Sequence, residues 1–247
     1  MNFFSLFKRN LIYNFKKKIS IDNDNISIDS LDRLFYHYGS DKAEVFKKTK
    51  NKGHGYSKFY KQKLEKLQNH KINILEIGSY AGASAAAFVK YLPRSNIFCF
   101  DVNISNFEYK SNKIHVFGID IKNKKKTIKT LNKIADQFKI KEFDVIIDDG
   151  SHNLSDILIG LKIFFKYLRN KGLYVIEDFK HPNYYQHNKN INHIFIDELF
   201  ENLEKKKVFN SNLFTKNEQL ELMNMVDKID VFKGNLINSD ISFITKS

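Results

Sequence analysis

The sequence predicts an α/β protein built on a doubly wound, mainly parallel sheet. From residue 71 onward, short apolar runs alternate with stretches that have helical periodicity. Apolar runs of this kind are typical of parallel strands that helices cover on both faces. Because a helical stretch follows most runs, the chain order also matches the crossover connections that parallel strands need.

The predicted elements can be placed along the chain. Strands are expected at residues 72–77, 96–102, 114–118, 143–148 and 172–177. Helices are expected at residues 83–92, 125–138, 154–168, 194–204 and 218–226. Residues 229–233 and 241–246 flank a Gly–Asn turn and should close the sheet as an antiparallel pair.

The first 20 residues carry an amphipathic pattern. Phe4, Phe7, Leu11 and Phe15 recur at near-helical spacing, with lysine and arginine residues around them. A basic amphipathic helix can lie on an anionic membrane, or it can pack on the domain or on a second subunit. We favour packing, and we expect the polar residues 20–30 to form a linker.

Composition narrows the class of protein. With 42% hydrophobic and 14% aromatic residues the chain can bury a core, which argues against general disorder. The net charge of +13 would suit nucleic acid, anionic lipid or a phosphorylated ligand. Lysine is abundant throughout and forms solvated-looking runs such as 122–126, so we expect no nucleic-acid partner.

Cysteine usage and hydropathy exclude further classes. The single Cys99 rules out an internal disulfide framework and a cysteine-rich zinc site, and its apolar flanks predict a buried side chain. No apolar run approaches the length of about 18 residues that spans a bilayer. The N-terminus lacks a secretion signal pattern. We therefore expect a cytoplasmic protein without stable membrane insertion.

The loop after the first predicted strand is a candidate cofactor site. Gly78 and Gly82 allow a sharp turn close to a ligand. Asp101 ends the next strand, where a carboxylate can accept hydrogen bonds from both ribose hydroxyls of a nucleoside. Glu76 adds a carboxylate suited to a positively charged cofactor. Tyr80 occupies the second glycine position of a dinucleotide fingerprint, which argues against a nicotinamide cofactor.

Acidic residues and a histidine follow two later strands. Asp148 and Asp149 end one strand, His152 lies three residues beyond, and Glu177 and Asp178 end the next strand. Carboxylates from neighbouring strand ends can converge on one cation, and oxygen ligands suit Mg²⁺ or Mn²⁺. His152 could then act as a general base. Taken singly, each of these residues is also common at strand ends and turns.

Two sets of motifs carry a resemblance to known families. The run Leu-Glu-Ile-Gly-x-x-x-Gly at 75–82, with Asp101, resembles the first motif of class I S-adenosylmethionine (SAM)-dependent methyltransferases. Residues 148–152 and 172–178 resemble the metal-dependent sugar O-methyltransferases, which include macrolide-sugar and capsule or cell-surface glycan enzymes. Residues 38–42 and 54–56 resemble the segment that these enzymes place before the first strand.

The resemblance covers roughly residues 34–180 and implies a Rossmann-like, seven-stranded class I methyltransferase fold. It implies a helical extension and cofactor lid at residues 1–70 and a SAM-binding catalytic domain at residues 71–247. Candidate cofactor contacts are Glu76, Gly78, Gly82, Ser84, Asp101, Asp120, Asp148 and Tyr56. Candidate ligands of Mg²⁺ or Mn²⁺ are Asp149, Glu177 and Asp178, and the candidate catalytic residues are Asp149 and His152, the latter as base.

The implied activity is methylation of a sugar hydroxyl. We expect a nucleotide-activated hexose or heptose for capsule or surface glycan synthesis, because a diphosphate would match the basic charge. The sequence His-Pro-Asn-Tyr-Tyr at 181–185, which follows the matching segment, departs from the family. Alternatives are a catechol-type O-methyltransferase, an RNA-binding protein of the same fold and an inactive interaction module. We also expect a homo-oligomer.

Overall fold

The computed structural model describes residues 3–24, 30–179 and 193–247 of the chain. The helices are α1 (Phe3–Phe15), α2 (Leu31–Tyr38), α3 (Ser57–Leu64), α4 (Ala83–Tyr91), α5 (Lys124–Phe138), α6 (Leu154–Phe164), α7 (Ile196–Glu204) and α8 (Lys216–Met225). The strands are β1 (Ile19–Ser20), β2 (Ile72–Ile77), β3 (Ser95–Asp101), β4 (Tyr109–Lys110), β5 (Ile114–Gly118), β6 (Phe143–Asp148), β7 (Leu168–Glu177), β8 (Val226–Lys233) and β9 (Asp240–Lys246). Residues 181–185, where the sequence departs from the family, lie outside the described residues.

The main sheet has seven strands in the order β5–β3–β2–β6–β7–β9–β8. Strand β3 pairs parallel with both β2 and β5, and β6 pairs parallel with β7. Strand β9 pairs antiparallel with β7 and with β8. The predicted fold class, with its closing antiparallel pair, is confirmed.

The chain forms two compact units. The first runs from Met1 to Asp120 and includes Gly234–Ile237, and the second comprises Ile121–Lys233 and Asn238–Ser247. This division by contacts differs from the boundary at residue 71 that the sequence suggested, and that boundary stays a prediction.

Aromatic packing holds the helices of the first unit together. Phe35 of α2 and Tyr60 of α3 both meet the ring of Phe88 of α4 edge-on, at centroid distances of 5.3 and 5.2 Å. All three side chains are fully buried. Edge-to-face contacts of this kind add to the stabilisation that burial itself provides.

The two largest differences from the predicted boundaries have local causes. Strand β7 begins at Leu168, whereas the sequence placed residues up to 168 in a helix and the strand at 172–177. Leu168 pairs with Phe143 and Leu173 pairs with Val145, so the polar residues between them form an irregular stretch in the strand. Lys171 adopts a left-handed conformation there, with φ of 60°. Polar composition therefore concealed the first part of the strand.

The predicted linker at residues 20–30 is partly structured. Ile21 is fully buried, and its N–H donates to the carbonyl of Lys110. Strand β1 pairs parallel with β4, so Ile19 lies beside Tyr109. Burial of the Ile21 side chain and the backbone pairing beside it therefore hold this part of the stretch in place.

Helix α1 packs on the first unit, as we expected. Leu6 is buried, and Arg9 donates to the carbonyl of Val102 at 3.1 Å. The ring of Tyr13 meets Phe107 edge-on at 6.3 Å. None of the described helices combines the length and hydropathy that crossing a bilayer would require.

Cys99 is buried in β3, as its apolar flanks predicted. Burial raises the pKa of its thiol well above the ordinary value, and the charge of Glu76 adds to this effect. Such a thiol is a poor nucleophile, because thiolate is the reactive form.

Replacing Gly82 by alanine should cost more stability than the same change at Gly39. Both residues have left-handed backbone, with φ of 77° and 79°, which costs an alanine about 1–2 kcal/mol. A Cβ on Gly82 would lie 2.3 Å from the buried Phe107 ring, whereas one on Gly39 would lie 3.9 Å from Lys48. Overpacking should therefore add about 1–3 kcal/mol at Gly82 alone.

Urea denaturation of the two variants measures this difference in the free energy of unfolding. Gly39→Ala is the matched control, because it carries the backbone strain without the steric clash. Equal losses in the two variants would show that the Phe107 contact adjusts without cost.

Candidate active site

The loop after β2 is a tight turn with several left-handed residues. Gly78, Tyr80 and Gly82 have φ of 86°, 43° and 77°. The N–H of Gly78 donates to the carbonyl of Phe100 on β3 at 2.8 Å, and the N–H of Gly82 donates to Ser79 at 2.7 Å. Left-handed backbone at a non-glycine residue such as Tyr80 is uncommon and is characteristic of functional loops.

Two candidate cofactor residues on either side of this loop are hydrogen-bonded to each other. Glu76 is fully buried in β2, and its Oε1 accepts a hydrogen bond from Oγ of Ser84 at 2.5 Å. Ser84 lies in the first turn of α4. Burying a carboxylate is costly unless polar groups compensate. The hydroxyl therefore helps to hold Glu76 at the end of the strand.

Asp101 is held at the same loop by backbone donors. Its Oδ2 accepts from the N–H of Tyr80 at 2.8 Å, and its Oδ1 accepts from the N–H of Asn103 at 2.6 Å. The residue is half-buried, and each carboxylate oxygen has a second lone pair for a ligand. Asp120 follows β5 and is also half-buried. The preceding residue, Ile119, donates its N–H to the carbonyl of Asp101.

The segment at residues 38–60 folds over itself and is held by Asn235, which belongs to the same unit. Its Tyr56 is fully buried and packs at 5.2 Å from the ring of His54. Asn235, at the hairpin tip, donates from its backbone N–H to the carbonyl of His54 at 2.9 Å. Its side-chain Nδ2 donates to Oε2 of Glu44 at 2.6 Å. The sequence suggested only a turn at Asn235, because nothing local indicates this distant partner.

The exposed ring of Tyr80 has a cation near it. Tyr80 is 61% exposed, and Nζ of Lys48 lies 5.8 Å from its ring centroid. Lys48 belongs to the 38–60 segment, and Tyr80 to the loop after β2. A cation at this distance from an aromatic face is weakly attracted to it.

Three of the predicted metal and catalytic residues meet in the second unit. Asp149, His152 and Asp178 each offer a ligand atom, and these atoms lie within 4.8 Å of one another. Nε2 of His152 is 3.8 Å from Oδ1 of Asp149. Glu177, the last residue of β7, is buried and does not belong to this group. This group contains two carboxylates and an imidazole, and the predicted metal ligand Glu177 stays a prediction.

The donor set fits a divalent cation. Two atoms bound to one ion at about 2.1 Å can be at most about 4.2 Å apart. The spacing of the three ligand atoms is close to that limit, so small side-chain movements would suffice. Carboxylate oxygens suit Mg²⁺ or Mn²⁺, and an imidazole nitrogen is also compatible with Mn²⁺.

Local hydrogen bonds fix the backbone around His152. Oγ of Ser151 donates to Asp156 at 2.7 Å, and Nζ of Lys122 lies 3.1 Å from the other oxygen of Asp156. Asn153 caps α6 by accepting from the N–H of Ser155. These bonds allow His152 to hold a left-handed conformation with φ of 55°. Asp156 was not among the predicted site residues, although an acid in the first helical turn after an asparagine cap is a recognisable signal.

Asp178 is also left-handed, with φ of 51°. Its N–H donates to the carbonyl of Asp240 at 2.8 Å, which extends the pairing of β7 with β9 past Glu177. Asp178 is buried to 6% exposure. The turn begins at the end of the strand, so the Asp178 carboxylate reaches Asp149 and His152.

Asp148 points into the packing of the second unit. A Cβ on Gly160 of α6 would lie 2.6 Å from its Oδ2 and 3.3 Å from the Tyr174 hydroxyl. Its Oδ1 accepts from the N–H of Gly150 at 3.3 Å. The Tyr174 hydroxyl is a partner of the Asp148 carboxyl, and each group shifts the pKa of the other. The predicted cofactor contact at Asp148 stays a prediction.

Sheet order, a glycine turn after the first strand of the main sheet and acids at the strand ends define the fold of a class I methyltransferase. MycE methyltransferase from the mycinamycin biosynthetic pathway, solved with Mg, S-adenosylhomocysteine (SAH) and mycinamycin VI, has this fold. The two share a TM-score of 0.63 and 19% sequence identity, over 88% of this chain and 54% of that chain. At this identity the likeness shows the fold alone.

Curated relatives confirm the predicted resemblance to sugar O-methyltransferases. L-olivosyl-oleandolide 3-O-methyltransferase of Streptomyces antibioticus is 31% identical over 155 residues, which are 60% of this chain and 36% of that protein. Mycinamicin VI 2''-O-methyltransferase of Micromonospora griseorubida is 27% identical over 51% of this chain and 31% of that protein. The chain thus spans about a third of the length of these relatives. No protein-family model matches it.

Removing the Asn235 side chain should loosen the 38–60 segment. Asn235→Ala loses the hydrogen bond to Glu44 but keeps the backbone bond to His54. A net loss of about 1 kcal/mol is expected for such a bond, which corresponds to about fivefold faster amide exchange. Hydrogen exchange of residues 41–56 measures it, with Asn238→Ala in the same hairpin as the control. Unchanged exchange in Asn235→Ala would contradict the prediction.

The Asp148 carboxyl should make stability depend on pH. Burial raises its pKa to about 7 from the ordinary 3.8; the charges of Asp149 and Asp156 add to the rise, and the Gly150 N–H and the Tyr174 hydroxyl oppose it. A carboxyl whose pKa is higher in the folded protein favours folding while it is protonated. Its contribution is therefore complete below about pH 4 and is lost as the pH rises to about 7.

In metal-free protein, Asp148→Asn should remove this loss of stability with rising pH, because the amide does not ionise. Relative to wild type, the variant should gain stability between pH 4 and pH 7, by a few kcal/mol on the scale of about 1.4 kcal/mol per pKa unit. Asp136→Asn on the exposed side of α5 is the control. A constant difference between Asp148→Asn and wild type across this range would contradict the assignment.

Proposed function

We propose that this protein is a SAM-dependent O-methyltransferase that acts on a sugar hydroxyl. The observation that carries the proposal is the group of Asp149, His152 and Asp178 at the ends of β6 and β7. The named activities of the relatives support it, since both are O-methyltransferases of sugar-bearing compounds. The glycine turn after β2 supports the choice of cofactor.

SAM would be bound by the loop after β2. Asp101 is held by backbone donors in a position to accept from ribose hydroxyls, and Glu76 would place negative charge near the cationic end of SAM. We further propose that the 38–60 segment closes over the cofactor, with Tyr56 as a contact. Asp120 and Asp148 complete the proposed cofactor residues.

A divalent cation would be held by Asp149 and Asp178, with Glu177 as a further proposed ligand. When bound, Mg²⁺ or Mn²⁺ lowers the pKa of the acceptor hydroxyl. His152 would accept the hydroxyl proton at Nε2, and Asp149 beside it would stabilise the imidazolium that forms. Methyl transfer needs little else than an oxygen nucleophile placed in line with the methyl group.

The proposal also concerns the kind of sugar that accepts the methyl group. The relatives' names give their acceptors as L-olivosyl-oleandolide and mycinamicin VI. We propose a nucleotide-activated hexose or heptose of a glycan pathway, supported by the net charge of +13, which would favour a diphosphate. A cytoplasmic location and self-association belong to the same proposal.

Mass spectrometry of reactions with SAM and an acceptor panel tests the function. The panel should contain nucleotide sugars, macrolide glycosides and a catechol. A mass gain of one methyl group on a sugar is the expected result, and a product only from the catechol would assign the enzyme to another substrate class. Calorimetry should show binding of SAH and none of NAD. An Asp101→Ala variant should lose about 1.5–3 kcal/mol of that binding free energy.

Metal ligation and base catalysis should separate in variants of the acidic group. EDTA should abolish turnover, and Mg²⁺ or Mn²⁺ should restore it. Asp149→Asn should weaken Mn²⁺ binding, because it removes a charge from the site. His152→Ala should lower turnover by about 10²–10⁴ while retaining Mn²⁺ affinity.

Glu201→Gln on the exposed side of α7 is a control that should change neither property. Loss of Mn²⁺ affinity in His152→Ala would contradict this prediction and would make the histidine a metal ligand. Full turnover in EDTA would remove the metal from the mechanism.

A further inference from the structure

Helix α1 exposes an apolar stripe. Phe7, Leu11 and Phe15 are spaced four residues apart, which places them on one side of the helix. Their exposures are 57%, 47% and 83%. A surface helix normally turns its apolar side to the core and its charged side to water. In α1 these three apolar side chains face outward instead.

The orientation of this stripe is fixed by contacts of the opposite side. Leu6 is buried, and Arg9 donates to the carbonyl of Val102. Beyond the helix end, Nζ of Lys16 donates to the carbonyls of Ser105 and Asn106 at 3.1 and 3.0 Å. The helix therefore cannot bury the stripe by rotating without losing these bonds. Exposed apolar patches held in this way mark interaction sites.

Charge around the stripe selects the partner. The first acidic residue of the sequence is Asp22, and the stretch before it holds only basic charged residues: Lys8, Arg9, Lys16, Lys17 and Lys18. Two copies of this helix would bring like charges together, whereas anionic lipid headgroups would neutralise them. Several of the basic groups lie close to one another. Burial lowers the pKa of Lys18, and the nearby positive charges of Lys110 and Lys16 lower it further.

We propose that α1 docks the protein on the surface of an anionic lipid bilayer. Phe7, Leu11 and Phe15 enter the boundary between headgroups and acyl chains, and Lys8 and Lys17 contact the headgroups. With 13 residues the helix is too short to cross a bilayer, for which about 20 residues are needed, but it can lie in this boundary. The docking needs no change in the contacts that hold α1 on the first unit.

Vesicle sedimentation tests the docking with the full chain. Wild-type protein should sediment with vesicles of phosphatidylcholine containing 30% phosphatidylglycerol, as a chosen probe of about physiological charge density, and not with phosphatidylcholine alone. High salt should release it. Leu11→Ser should weaken binding about fivefold to tenfold, because a leucine leaves the apolar boundary.

The chain offers a matched control for each change. Leu220 on α8 is 44% exposed, against 47% for Leu11, so Leu220→Ser should sediment like wild type. Lys8→Glu should reduce binding to the anionic vesicles, and Lys129→Glu on α5, with the same change in charge, should reduce it less. Circular dichroism of each variant shows that it is folded.

Three results would overturn the proposal. The first is absence of wild-type sedimentation with anionic vesicles, which needs no variant. The second is equal loss of binding in Leu11→Ser and Leu220→Ser. The third is a wild-type dimer in sedimentation velocity that Leu11→Ser converts to monomer without vesicle binding in either protein, which would assign the stripe to a second copy of the chain.

Discussion

Parallel pairing makes neighbouring strands end at the same edge, and the strand ends of this protein carry carboxylates. In the first unit Glu76 and Asp101 lie at the ends of β2 and β3, and in the second unit Asp148 and Glu177 end β6 and β7. Carboxylates at buried positions require donors or protonation. Ser84 supplies a donor to Glu76, whereas Asp148 responds by a raised pKa. The chemistry of both candidate sites begins with this constraint.

The turns that follow these strands are strained and held by hydrogen bonds. Tyr80, His152 and Asp178 all have left-handed backbone, which costs a non-glycine residue free energy. The costs are offset where the N–H of Tyr80 binds Asp101 and the N–H of Asp178 binds Asp240. Backbone fixed in this way positions side chains more narrowly than a flexible loop would. Two of these three residues, His152 and Asp178, are candidate functional residues, and Tyr80 lies in the candidate cofactor loop.

Contacts between distant parts of the chain set the surroundings of these turns. Asn235 is 191 residues from Glu44, and yet the two side chains are bonded. Gly55 has left-handed backbone beneath Asn235, and a Cβ there would lie 2.3 Å from Nδ2. The glycine thus permits the close approach of Asn235 to the segment. No local sequence pattern indicates that Asn235 and Gly55 meet.

The sequence by itself determined the seven strands of the main sheet, most of the helices, the glycine turn and the acids that follow the strands. Apolar runs and turn residues report local structure, so these features could be predicted. Only the tertiary structure decided how closely Asp178 approaches Asp149 and His152, that Asp148 faces Gly160, and that the apolar stripe of α1 faces outward. Side-chain direction at a strand end depends on backbone conformation and on partners far along the chain, and periodicity contains neither.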